Sequence, residues 1–477
     1  MALKEISCIV LFLSIFSETS CITIDVVTAP AVHNINSSMF VGVTIDSGVI
    51  RDNWRTMDFS TYQMLTLASG LDPCYLRVGG TDADFLIFNE TQGPALKEQR
   101  LVNDDFSMTV ADWDTLNEFV QEVGWQLIFD FNSLLRKDGK WDPTNAIELL
   151  KYSVKKGYKP AGYELSNEPD LFVTINTSVT PASLAADVGT LRDVLSSMTS
   201  SPFLVFGPDT SSVFDMNYFD DFLAAGGGKN VDVATFHHYY LNSATATVDQ
   251  FVDVKVFDSL KSPLEEAVGH CLKHAPGKQC WLGETSTTYG GGTLGVSDRF
   301  VAGFLWLDKL GLSALIGLQG VVRQSFYGGN YGLIDVNLDP NPDYFLTVLY
   351  KRLVGSPVLN VTQDTNPNVR VYAHCTNTNS SMGYPKGSVT VYLMNLGSEA
   401  VTVNMNGGTS QLYMLTAGDD SGLVSKFVKL NGNTLVLPNK GELPPFNPLH
   451  HEGPLQLQGF TMGFIVFPEA AKKECLV

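Results

Sequence analysis

The chain has 477 residues, 44% of them hydrophobic, so it exceeds one ordinary domain and can bury a large core. Its formal net charge of -19 argues against nucleic acid or an anionic membrane as the main partner. No His or Cys spacing matches a zinc site, and beyond the N-terminus no stretch is long and apolar enough to span a bilayer; neither metal, cofactor nor transmembrane segment is expected.

Met1 to Cys21 opens with Lys4, continues as the apolar run Ile6 to Phe16, and ends in Ser17, Thr19 and Ser20. That pattern is a secretory signal (residues 1–21), with cleavage after Thr19 or after Cys21 equally compatible. A monomer, secreted or lysosomal and acting in the extracellular matrix, is the expectation. Asn-X-Ser/Thr triplets at Asn36, Asn89, Asn176, Asn360 and Asn379 are then glycosylation candidates. Cys8 leaves with the signal and Cys21 stands at its border, so Cys74, Cys271, Cys280, Cys375 and Cys475 allow at most two bridges. Cys271 is paired with Cys280 across a short loop and Cys375 with Cys475 across the last domain, leaving Cys74 buried and free.

From Phe40 short apolar runs alternate with helical segments, the pattern of a parallel sheet with crossover helices. Strands are predicted at Phe40 to Ile45, Tyr75 to Val78, Leu127 to Phe131, Gly162 to Leu165, Phe203 to Phe206, Val231 to Phe236, Trp281 to Gly283 and Val321 to Ser325. Eight such units make a (β/α)8 barrel, an α/β fold, over residues 40–352. The clearest helix follows the seventh strand: Ser297 is expected to cap it, Phe300, Phe304, Leu307 and Leu310 share one face, and Gly311 is expected to end it. After Val354 the texture turns all-β, with a run at Val389 to Leu393 and a hairpin from Phe427 to Leu437 about Asn431-Gly432. Residues 353–477 therefore read as a β-sandwich, and 22–39, with the run Ile22 to Val27, adds a strand to it.

The chemistry gathers at the strand ends. Glu168 follows the fourth strand in AGYELSNEPD, directly after Asn167 and before Pro169, and Glu284 follows the seventh in CWLGETSTTYGGG. Two carboxylates at the C-terminal rim of one barrel suit glycoside hydrolysis, where one protonates the leaving oxygen and the other attacks the anomeric carbon or activates water. Taken singly, each also reads as an ordinary loop or cap residue. Other rim candidates are Asp46, Gly79-Gly80-Thr81, His237-His238-Tyr239-Tyr240, Gln324 and Gly328-Gly329-Asn330-Tyr331, polar groups of the kind a sugar's hydroxyls need. Their plain alternatives are a helix cap for Asp46, satisfied core groups for the histidines and packing for Tyr331.

The stretches WLGETSTTYGGG, AGFLWLDKLGLSA, VVRQSFYGGNYGLID and DPNPDYFLTVLYKRLVG, with VTIDS, YLRVGGTDADFLIF, YELSNEP, FHHYYLN and HCTNT, resemble the animal heparanase family over nearly the whole mature chain. The resemblance implies a retaining glycoside hydrolase acting on β-linked glucuronic acid in heparan sulfate-type glycosaminoglycans, built as a barrel with a C-terminal β-sandwich. It puts Glu168 at the acid/base position and Glu284 at the nucleophile. It lines the glucuronate subsite with Asp46, Thr81, Asn167, Tyr239, Gln324 and Gly329, and assigns the uronate carboxylate to the backbone of Gly290 and Gly291 with Tyr331. The pair Cys375 and Cys475 matches the family's C-terminal disulfide. Glu168 must hold its proton until attack begins, which predicts an acidic optimum.

Two departures bear on substrate. Where heparanases carry basic clusters, Val102 to Asp105 and Ser211 to Asp221 carry acids, and Thr174 and Ala244 stand at positions of basic subsite residues. Sulfate recognition rests on Lys and Arg, so affinity for heavily sulfated chains should fall. The family's excised insert is also replaced between Phe88 and Phe106 by a short polar connection, which predicts an active single chain. Three readings stand: an endo-β-glucuronidase of heparan sulfate, a β-glucuronidase of low-sulfate or small glucuronides, and a catalytically silent glycan-binding relative.

Overall fold

The computed structural model describes residues 21–27, 31–52, 54, 57–90, 105–198, 203–212, 217–405, 408–439 and 441–476. The segment read as a secretory signal, up to Ser20, and residues 91–104 of the polar connection between Phe88 and Phe106 lie outside the described residues.

Strand β1 (Cys21–Val27) opens the described chain, and the next eight long strands close a parallel barrel in sequence order. They are β2 (Val41–Asp46), β3 (Tyr75–Gly79), β4 (Gln126–Phe131), β5 (Gly162–Leu165), β6 (Leu204–Thr210), β7 (Val233–Asn242), β8 (Gln279–Tyr289) and β9 (Gly320–Arg323). Helices α1 (Tyr62–Ser69), α2 (Val110–Glu122), α3 (Thr144–Lys156), α4 (Pro181–Met198), α5 (Lys261–His274), α6 (Ala302–Ile316) and α7 (Pro342–Leu353) lie in the connections. Their ends follow local chemistry. Thr109 and Asp112 form a reciprocal capping box at α2, and Gly157 and Gly317 close α3 and α6 in the left-handed region.

The barrel interior is layered because side chains repeat every second residue along a strand. Near the N-terminal end Ile128, Phe206, Val233, Trp281 and Val322 form an apolar plug, with Tyr75 packed against it. Two residues further along β3 and β4, Tyr75 and Ile128 give way to Arg77 and Asp130, both buried. The plug seals one end, and the polar layer above it carries the site.

Strands β10 (Val354–Gln363), β11 (Val369–Thr376), β12 (Val389–Asn395), β13 (Val401–Met405), β14 (Ser410–Ala417), β15 (Val428–Leu430), β16 (Asn433–Thr434), β17 (Leu449–His451), β18 (Leu455–Leu457) and β19 (Thr461–Phe467) form the second, all-β layer. Their order is β16-β15-β14-β19-β12-β11-β10-β1-β13-β18, one continuous sheet to which β17 and the bridge at His33–Asn34 also pair. Ile22 and Ile24 of β1, Val403 of β13 and Leu457 of β18 share an apolar cluster with Val391 of β12 and Ile465 of β19. The β1–β13–β18 end therefore folds over the middle of the sheet and encloses one core with it. Tyr392 and Met394 on the other face of β12 join the barrel's core instead, so this strand is buried on both sides.

Several sequence expectations change here. Helix α6 begins at Ala302, not after Ser297, whose buried hydroxyl accepts from Thr287 Oγ1 at 2.8 Å and Thr293 N at 3.0 Å. Gly311 lies inside α6 rather than ending it. The expected ends of the sixth and seventh strands also fall short, because β7 and β8 run on through the polar residues read as loop.

Both disulfides, Cys271–Cys280 and Cys375–Cys475, are present, and Cys74 is buried and free. Asn36, Asn176, Asn360 and Asn379 are exposed and Asn89 is half-buried. None of the described helices is long and apolar enough to cross a membrane.

Candidate active site

Arg77 is the centre of the polar layer. Its fully buried guanidinium donates from Nε to Glu164 Oε2 at 2.6 Å, from Nη1 to Glu284 Oε2 at 2.8 Å and from Nη2 to Asn167 Oδ1 at 3.0 Å. Asp209 and Asp130 stand at 3.9 and 4.0 Å. One buried cation among so many acids would leave charge uncompensated unless some acids hold protons. Burial does this: it pushes Glu164 up to about 8, and burial with the neighbouring charge of Glu164 drives Asp130 well above the carboxylate range. Burial also opposes charge on Asp209, yet Arg77 and His237 hold it below the carboxylate range.

Glu284 lies within β8, and a second donor meets it there. The Tyr239 hydroxyl donates to Glu284 Oε1 at 2.6 Å, so both carboxylate oxygens are taken and the group is aimed. Tyr239 reaches it because β7 continues to Asn242, pairing His237 with Glu284 and Tyr239 with Ser286 across a bulge.

Glu168 sits three residues beyond β5 with φ of 48°, a left-handed position uncommon outside glycine. Its N–H donates to the Asp209 carbonyl at 2.9 Å, and Asp84 Oδ2 accepts from Asn167 N at 2.9 Å. Those bonds hold the Asn-Glu-Pro turn. The carboxylate meets His237 Nδ1 at 2.9 Å, while His237 Nε2 lies 3.3 Å from Asp209 Oδ1. Burial opposes charge on this ring, but Glu284, Asp209 and Glu168 together lift His237 to about 10.

The remaining expected residues surround this pair. Asp46 ends β2, accepts from Gly48 N at 2.8 Å and is pushed up to about 7, chiefly by burial. Gln324 is buried, accepts from Thr44 Oγ1 and donates its N–H to the Thr285 carbonyl at 2.9 Å. Tyr331 is buried with its ring centroid 6.4 Å from that of Tyr239. The loops holding Gly290, Gly291 and Gly329 are tied together where Asn330 N donates to the Gly291 carbonyl at 2.7 Å and Asn330 Nδ2 to that of Gly292 at 3.0 Å. Thr81 stands exposed at the start of a short 3-10 turn.

Arg77, Asp209 and Glu164 are not among the sequence candidates, and His237 reads there as either rim or core. Arg77 did carry a signal, as a charge inside a run otherwise fit for a buried strand. His237 and Tyr239 share a face of β7 by their spacing of two. Atoms of Glu168, His237 and Glu284 lie within 4.8 Å of one another, the span of a metal site. Both ring nitrogens of His237 already face carboxylates, Nδ1 that of Glu168 and Nε2 that of Asp209, so neither is free to ligate. The donor set does not fit a metal.

A closed parallel barrel with two glutamates at its C-terminal rim is the arrangement that glycoside hydrolases use. The family model described as glycosyl hydrolase family 79, N-terminal domain, matches residues 51–311, more than half the chain. The protein belongs to that family. It is 34% identical to heparanase of Mus musculus over 494 residues, covering 92% of each chain. It is 35% identical to hyaluronoglucuronidase of Hirudo nipponia over 477 residues, covering 92% of this chain and 96% of the relative. The fold is shared with a 4-O-α-L-rhamnosyl-β-D-glucuronidase from Fusarium oxysporum, TM-score 0.70 at 16% identity, over 93% of this chain and 100% of that one.

Proposed function

We propose that the protein hydrolyses β-linked glucuronic acid in glycosaminoglycans of the heparan sulfate type, with retention of configuration. One observation carries the reading: carboxylate oxygens of Glu168 and Glu284 come within 4.8 Å. Retaining enzymes set these groups about 5–5.5 Å apart, inverting ones about 6.5–9.5 Å. Glu284, aimed by Arg77 and Tyr239, attacks the anomeric carbon while Glu168 gives its proton to the leaving oxygen. Glu168 then takes a proton from the water that breaks the glycosyl ester.

Asn167 keeps its Nδ2 for the sugar's 2-hydroxyl, since Arg77 already occupies Oδ1. Asp46, Thr81, Gln324 and Gly329 complete the glucuronate subsite. The uronate carboxylate goes to Tyr331 and the backbone of Gly290 and Gly291. The names of the Mus musculus and Hirudo nipponia relatives support a glucuronic acid substrate within a glycosaminoglycan.

A second reading, favouring low-sulfate or small glucuronides, has its own support. Thr174 and Ala244 are exposed, and the stretches 169–180 and 241–247 that hold them contain no Lys or Arg. Sulfates there would lack a cationic partner. The silent-binding reading is opposed by Glu284 being held on both oxygens and Glu168 on one.

The test is to incubate the purified protein at pH 5 with heparan sulfate, its desulfated form and an aryl β-glucuronide, and to size the products. Internal fragments from heparan sulfate support the first reading. Cleavage confined to the desulfated chain or the aryl glucuronide supports the second. Silence on all three, or a rate maximum above neutrality, overturns the proposal.

A further inference from the structure

Asp209 has no part in the reaction as written, yet it meets Glu168 twice. Its carbonyl accepts the Glu168 N–H at 2.9 Å, and its carboxylate reaches Glu168 through the imidazole of His237, at 3.3 and 2.9 Å. Asp209 is fully buried with φ of 53°, and Gly283 on β8 leaves it room, since a Cβ there would collide with its Oδ1. The arrangement is built around this carboxylate rather than filled by it.

We propose that Asp209 is a positioning residue for proton transfer: it holds His237 as a cation facing both glutamates, so that Glu168 can release its proton to the leaving group. The inference rests on Glu168 being the acid/base. Before attack the negative charge is on Glu284. When the Glu284–carbon bond forms and the carbon–oxygen bond breaks, the Glu168 proton goes to the departing oxygen and the charge reappears on Glu168. His237 stands against Glu168 and within the field of Glu284, so one fixed cation serves both halves of the reaction.

The groups around it fit that role. His237 faces Glu168 from the loop after β5, Asp209 from β6 and Glu284 from β8. Asp209 itself faces Arg77 from β3 and lies in the field of Glu164 and Asp130 from β5 and β4. The latter two are driven up by burial and Asp209 is held down, so it is the ionised partner of the ring.

The test compares kcat/KM on phenyl and 2,4-dinitrophenyl β-glucuronides, since only the first needs a proton on its leaving oxygen. Asp209→Asn is expected to lose at least about tenfold on the phenyl substrate and less than about threefold on the other, a part of the 10²–10⁴ that acid catalysis contributes. An equal loss on both substrates, or no loss, overturns the inference. Should Asp209→Asn fail to fold, His237→Gln, which cuts the link from the other side, must show the same split or the inference falls. Glu168→Gln separates the two levels. If it shows no split, the acid/base reading itself fails; if it shows one and Asp209→Asn does not, only the inference does.

Discussion

Glu284 is held from two directions, by Arg77 on one oxygen and Tyr239 on the other, and the two partners differ in what their loss would do. Tyr239→Phe removes one hydrogen bond to a charged group, worth about 1.5–3 kcal/mol. A loss of roughly 10- to 100-fold in kcat/KM is expected from steady-state kinetics. Arg77→Met instead strands several buried acids, and a stability loss of about 3–5 kcal/mol is expected in denaturant unfolding. Asp46 supplies a pH signature. Its carboxyl titrates at about 7 in the folded chain against 3.8 otherwise, so the folded state holds the extra proton between those values and loses relative stability as pH rises through them. Asp46→Asn lacks this decline. The unfolding-stability difference, variant minus parent, measured in denaturant, should therefore grow from pH 4 to pH 7.5, with an upper bound of about 4 kcal/mol at about 1.36 kcal/mol per unit; a constant difference would contradict it. At this scale the position of the two glutamates after apolar runs was legible, whereas the role of Arg77 was not, although it stood inside the predicted strand Tyr75 to Val78.

At the scale of elements, the barrel strands were legible as runs and their ends were not. Strands β7 and β8 continue through His237 and Glu284 because inward-facing polar groups pair with one another in the barrel, where a lone strand would have exposed them. Helix α6 hid its ends for a related reason: it is buried on nearly every side, so apolar periodicity cannot mark where it starts or stops. Gly311 looked like a terminator. It serves close packing instead, since a Cβ there would collide with the Tyr372 ring of β11. Gly311→Ala should cost about 1–3 kcal/mol by overpacking, visible as a lowered melting temperature with kcat/KM on an aryl glucuronide little changed. The hairpin at Asn431-Gly432 was fully legible, because two successive left-handed residues, φ of 50° and 83°, are what a two-residue turn between β15 and β16 demands.

At the scale of the molecule, the parallel barrel and the all-β layer are joined by shared burial: Tyr392 and Phe464 of the sheet belong to the barrel's core cluster. That coupling was not legible, because alternation cannot show which element covers a strand's second face. The Cys375–Cys475 bridge closes a separation of 100 residues across this layer. Replacing both cysteines by serine should lower stability by about 2–5 kcal/mol in denaturant unfolding, with catalysis at low temperature retained because the bridge lies in the layer beside the barrel. The proposed reaction requires Glu284 to form a covalent bond to the sugar while Glu168 waits within 4.8 Å. Incubation with a 2-deoxy-2-fluoro-β-glucuronyl fluoride, followed by peptide mass spectrometry, tests this most directly. One glycosyl adduct on the peptide carrying Glu284, with activity lost in step, is the predicted result; an adduct on another residue, or continued hydrolysis with inverted product and no adduct, would contradict it.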